Sequence, residues 1–139
     1  MHILDSDTLT HLHAGQPRVI KALQKLDDPD VVTTIVTKIE LLRGRFEFLL
    51  KADDSAKLLK AQKLLLRTEE LLSQINILPL DEAAVTQFEY LRNNRSLRKI
   101  GRADLLIASM ALANRATLVT RNLSHFKKVP GLKAVNWVD

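Results

Sequence analysis

Seven β-branched residues in succession, Val31 to Thr37, constrain this chain more than any other feature of its sequence. Branching at Cβ stiffens χ1 and crowds a helix, but it suits a pleated surface packed against neighbours. The run therefore predicts a strand, and the turn-forming Asp27-Asp28-Pro29-Asp30 marks where that strand starts. Its lack of polar alternation points to burial on both faces, the condition of a strand inside a parallel sheet. Parallel neighbours cannot be joined by a tight turn, so helical crossovers must lie to either side.

The flanking sequence supplies them. His2 to Asp5 is a short strand running into Ser6-Asp7-Thr8, side chains that favour a helix start, with Asp7 placed to cap a helix from Thr8. Residues 17–26 open with Pro17 and place Val19, Ala22, Leu23 and Leu26 on one face, which predicts an amphipathic helix. Helical patterns over residues 38–50 and 54–74 are separated by Ala52-Asp53-Asp54-Ser55, so a helical hairpin is expected at residues 38–74. Its second arm carries Leu64, Leu66 and Leu71 beyond what one buried face needs. A strand over 75–80, a helix from the capping Asp81 to about Asn94, an apolar helix over 103–115, and strands at 117–120 and 134–138 complete the order. Strands alternating with helices predict a three-layer α/β/α sandwich around a mostly parallel sheet of four to five strands, one domain over residues 1–139.

Composition narrows the function. The chain has no cysteine, so disulfides and thiolate metal sites are excluded, and a bound metal would need carboxylate, histidine, amide or water ligands. The absence fits a reducing cytoplasm. The longest uncharged stretch, Leu105 to Asn114, is ten residues, half of the roughly 20 that a membrane span needs. Net charge is +5, and Arg92, Arg95, Arg98, Lys99 and Arg102 fall within eleven residues that hold no acid. Such a block concentrates polyanions, which makes nucleic acid a natural partner, although a solvated helix end would read the same way. With four glycines there is no phosphate-binding loop.

Active sites of parallel sheets form at the carboxyl ends of the strands. Asp5 ends the first strand, Glu40 follows the second by about a helical turn, and Asn122 follows the strand ending at Thr120. Asp104 opens the apolar helix that feeds that same strand. Each has a plainer reading. Glu40 completes a capping box with Thr37, and Asp104 lies where a helix dipole favours an acid. His11 and His13 are spaced for different helix faces, and His125 stands alone in a loop.

Three segments together resemble the PIN-domain VapC toxins of type II toxin–antitoxin pairs, over essentially the whole chain. They are HILDSDTL at the start, TKIELLRGR in the second βα unit, and IGRADLLIASMALANRATLVTRNLSHFKKVPGL near the end. The resemblance implies a metal-dependent endoribonuclease. Asp5, Glu40 and Asp104 map onto the family's acidic ligands for Mg²⁺ or Mn²⁺, and Arg43-Gly44 onto the residues that follow its glutamate. It also implies growth arrest by cleavage of cellular RNA and a cognate antitoxin. The leucine-rich hairpin suits an antitoxin groove or a homodimer interface. The sequence departs from the family where many members carry a further acid after the last strand: Asn122 and His125 stand there, with Asp7 as a partial substitute. Asn122 is therefore the fourth candidate of the catalytic set. Arg98, Lys99 and Arg102, with Arg43 and Arg121, are the candidate phosphate contacts. The competing expectation is a PIN-like module that binds nucleic acid or protein without hydrolysis.

Overall fold

The computed structural model describes all 139 residues. The elements run β1 (His2–Leu4), α1 (Ser6–His13), α2 (Pro17–Lys25), β2 (Val31–Thr34), α3 (Ile35–Lys51), α4 (Ser55–Ser73), β3 (Asn76–Leu78), α5 (Glu82–Arg92), a 3-10 turn (Arg95–Leu97), α6 (Arg102–Ala113), β4 (Thr117–Val119), α7 (Leu123–Phe126) and β5 (Lys133–Val135). The five strands form one sheet in the order β3-β2-β1-β4-β5, every pair parallel. No helix is long and apolar enough to cross a membrane.

The three inner strands β1, β2 and β4 bury both of their faces, as the unalternated run required of β2, while the edge strands β3 and β5 stay partly exposed. Ile3, Val32 and Leu118 point into the larger core, which they share with Phe88 and Leu91 of α5 and with Leu105, Ile107, Ala108 and Ala111 of α6. Their chain neighbours Leu4, Val31 and Val119 point the other way, to Leu9 of α1, Leu41 of α3 and Leu72 of α4. The two-residue period of a strand thus produces the three layers. Each fully buried leucine or isoleucine in them contributes roughly 1.5–3 kcal/mol.

The β-branched run is where the fold departs from expectation. Only Val31 to Thr34 are strand; Ile35, Val36 and Thr37 form the first turn of α3. Thr34 is extended (φ −104°, ψ 160°), and its Oγ1 accepts the Thr37 backbone N–H at 3.0 Å, so the helix starts at this threonine. β-branched residues lose at most about 0.7 kcal/mol each in a helix. Burial of Thr33, Thr34 and Thr37 at the junction outweighs that. The capping box read at Thr37 and Glu40 is therefore not formed. The cap lies one turn earlier, which leaves Glu40 without a capping role. Similarly, α1 starts at Ser6 and is capped by Asp5, not by Asp7.

Other boundaries move by one to three residues. The 3-10 turn and α7 were not anticipated, being too short to display a period. The expected hairpin exists as α3 and α4, tied by Arg45 Nε donating to Thr68 Oγ1 at 3.1 Å. Asp54 Oδ1 caps α4 by accepting the Lys57 N–H at 2.8 Å. In the VPGL segment Gly131 adopts φ +80°, a conformation that a side chain would strain.

Candidate active site

The carboxyl ends of β1, β2 and β4 form one edge, and hydrogen bonds to both neighbouring strands fix Asp5 in its centre. Its backbone N–H donates to the Val119 carbonyl of β4 at 3.1 Å, while Thr33 Oγ1 of β2 donates to the Leu4 carbonyl at 2.7 Å. Thr8 Oγ1 also donates to the Val119 carbonyl, at 3.2 Å, pinning the first turn of α1 to the same edge. Asp5 Oδ1 accepts the Thr8 N–H at 2.8 Å. That leaves Oδ2 free.

Glu40 lies on α3, one and a half turns beyond its start, half-buried and with no hydrogen bond or ion pair of its own. Burial raises its carboxyl above the usual glutamate value. The charge of Asp104 adds to this, Arg43 opposes it, and the charge of Asp5 raises it further. Three carboxylates, from the β1–α1 junction, α3 and α6, therefore share one electrostatic neighbourhood, with Arg43 as a partly compensating cation. Asp104 enters because α6 crosses back to feed β4, which turns its first turn toward the strand ends. The remaining question from sequence, how Asp104 reaches the others, is answered by that crossover.

His125 of α7 stands against Asp104, its Nε2 3.2 Å from Oδ2. The ring meets Phe126 edge-on at 5.4 Å. The sequence left this histidine outside the candidate set; its signals were its position five residues beyond Thr120 and its place where many family members carry a further acid. Asn122 is exposed, and its side chain makes no capping bond to α7, while its backbone N–H donates to Thr120 Oγ1 at 3.0 Å. Asp7 faces Arg121 at 3.8 Å and His11 at 3.7 Å, so its charge is directed away from the trio.

No three histidine or carboxylate side chains stand close enough to grip an ion as they are. The donor set nonetheless fits a hard divalent cation: three oxygen-bearing groups, mutual repulsion, and Nε2 of His125 sealed from solvent without a hydrogen-bond partner. Asp5, Glu40 and Asp104 are each partly exposed, so the acids form a shelf that a polymer can reach.

The basic residues divide. Arg98, Lys99 and Arg102 are exposed and form no ion pairs, in the segment that leads directly into Asp104; Arg102 packs over the Phe88 ring at 5.0 Å. Arg43 lies 3.9 Å from Glu47. Arg121 is held by Asp139 through two bonds of 3.1 Å, a pairing between side chains 18 residues apart.

An all-parallel sheet in this order, with acids gathered at its carboxyl edge, defines a PIN-like fold, and a PIN-domain family model matches residues 3–132. The chain belongs to the PIN-domain family. Within it, the chain is similar to ribonuclease VapC1 of Haemophilus influenzae (strain R2866), 27% identical over 141 aligned residues that cover 99% of this chain and 98% of the relative. It is also similar to the tRNA(fMet)-specific endonuclease VapC of Salmonella typhimurium, 24% identical and covering 97% of this chain and 96% of that one. Among solved structures, VapBC2 from Rickettsia felis bound to a DNA fragment from its promoter matches with TM-score 0.77 and 27% identity, over 98% of each chain. The chain is VapC-like.

Proposed function

We propose that this chain is the endoribonuclease toxin of a toxin–antitoxin pair, hydrolysing RNA with Mg²⁺ or Mn²⁺ held by Asp5, Glu40 and Asp104. The observation that carries the reading is the convergence of Asp5, Glu40 and Asp104 at the carboxyl edge of the sheet, within reach of one another's charge. Acids from three separate elements gather there without matching cations. Full-length relatives named as ribonucleases support the reaction class.

Asp5 keeps Oδ2 available while Oδ1 holds α1, so its position is set by the fold. With no cation bound, Glu40 takes up a proton more readily than an exposed glutamate, and cation binding would displace that proton. Asn122, exposed just after β4, would offer an amide able to orient water or a phosphoryl oxygen. A divalent ion, when bound, neutralises charge at the phosphoryl group and makes water more acidic. Arg98, Lys99 and Arg102 contact backbone phosphates and draw RNA along the shelf, with Arg43 beside Glu40. Arg121, committed to Asp139, contributes less.

The antitoxin reading rests on exposed apolar residues of the hairpin. Phe46, Phe48, Leu50, Leu58, Leu59 and Leu66 are all at least 47% exposed. That surface suits an amphipathic segment, or a second copy of the chain. A cytoplasmic site of action follows from the RNA substrate.

The test is incubation of the antitoxin-free protein with total RNA and Mn²⁺, beside EDTA and Asp104→Asn controls. Discrete cleavage by wild type alone is expected. Salt-sensitive RNA binding without cleavage, unchanged in Asp104→Asn, would instead establish the non-catalytic module, for which the capping role of Asp5 is the favouring observation.

A further inference from the structure

Asp104 and His125 stand at a separation that two ligands of one ion would take, and they are not joined by a hydrogen bond. Nε2 lies 3.2 Å from Oδ2, but the carboxylate is out of line with the ring nitrogen, which is buried and has no hydrogen-bond partner. A buried polar atom in that state calls for an explanation. Packing fixes the ring: Phe126, itself buried, meets it edge-on at 89°. Two donors at neighbouring octahedral positions, each about 2.1–2.2 Å from one ion, are about 3.0–3.1 Å apart. The observed separation is close to that figure.

We infer that His125 is itself a ligand of the cation held at Asp104, and that its nitrogen makes the centre prefer Mn²⁺ to Mg²⁺. The inference rests on the proposed reading of Asp5, Glu40 and Asp104 as cation ligands, and adds the one that sets ion selectivity. Imidazole suits transition ions, whereas Mg²⁺ takes oxygen. A neutral ring also adds a donor without adding a fourth negative charge beside three acids. Ligation through Nε2 requires the tautomer with its proton on Nδ1.

The full chain loaded with Mn²⁺ alone or Mg²⁺ alone is compared with His125→Gln and Asp104→Asn, with circular dichroism to confirm folding. In the electron spin-echo signal of Mn²⁺-loaded wild type, modulation from a directly bound imidazole nitrogen is expected, and His125→Gln loses it. By calorimetry His125→Gln weakens Mn²⁺ on the order of tenfold or more while Mg²⁺ stays within about threefold. Asp104→Asn loses both ions. Modulation that persists in His125→Gln, or unchanged Mn²⁺ affinity there, overturns the ligand role and leaves the carboxylate centre standing. Binding of neither ion by wild type overturns the centre, and the ligand role with it.

Discussion

Asp5 divides two tasks between two oxygens, and substitution can separate them. Asparagine keeps an acceptor where Oδ1 takes the Thr8 N–H, so Asp5→Asn is expected to unfold in urea within about 0.5 kcal/mol of wild type while RNA cleavage is lost. Asp5→Ala forfeits the cap as well and should unfold about 1 kcal/mol earlier. Glu40 carries a different signature. Its carboxyl is raised in the fold above the ordinary 4.5. A group raised in this way contributes fully to stability below its unfolded value, and the contribution is lost as pH rises through the folded one. In EDTA, Glu40→Gln should therefore melt higher than wild type at neutral pH, the advantage disappearing below about pH 4. A difference independent of pH would show that the glutamate's charge is not what is strained.

At the scale of elements, the β2–α3 junction shows what sequence can and cannot disclose. The β-branched run announced a buried strand correctly, but composition does not say where a strand stops. That is decided by Thr34, whose hydroxyl captures the Thr37 N–H and starts the helix inside the run. The apparent capping box one turn later was a coincidence of spacing, and so Glu40 looked more ordinary than it is. Thr34→Val keeps the shape and removes the acceptor; a loss of about 1 kcal/mol in chemical denaturation is expected. The hairpin makes the converse case, since its leucine surplus was readable and its purpose was not. Leu59, 68% exposed, supports little of the fold. Leu59→Lys should leave the melting temperature nearly unchanged and reduce co-purification with the antitoxin, an outcome that an unchanged yield of complex would contradict.

Across the whole molecule, the excess of positive charge gathers at the approach to Asp104. Each phosphate contact made by Arg98, Lys99 or Arg102 should add about 0.7–0.9 to the slope of log affinity against log salt. Lys99→Ala, measured by RNA binding in EDTA, should lower that slope by about one contact and weaken diverse RNAs alike. Asp5, Asp104 and this basic stretch could be picked out from sequence because each sits at an element's end, and Glu40 because it follows the β-branched run closely. The strand order could not, because strands of three or four residues carry no register, and neither could pairings such as Arg121 with Asp139. That order has a consequence in time. The strand nearest the start of this sequence becomes the middle of the sheet, and its partner on one side begins only at residue 117. A growing chain that has not yet reached residue 117 thus lacks the wall against which Asp5 is set, and the candidate site cannot assemble on it.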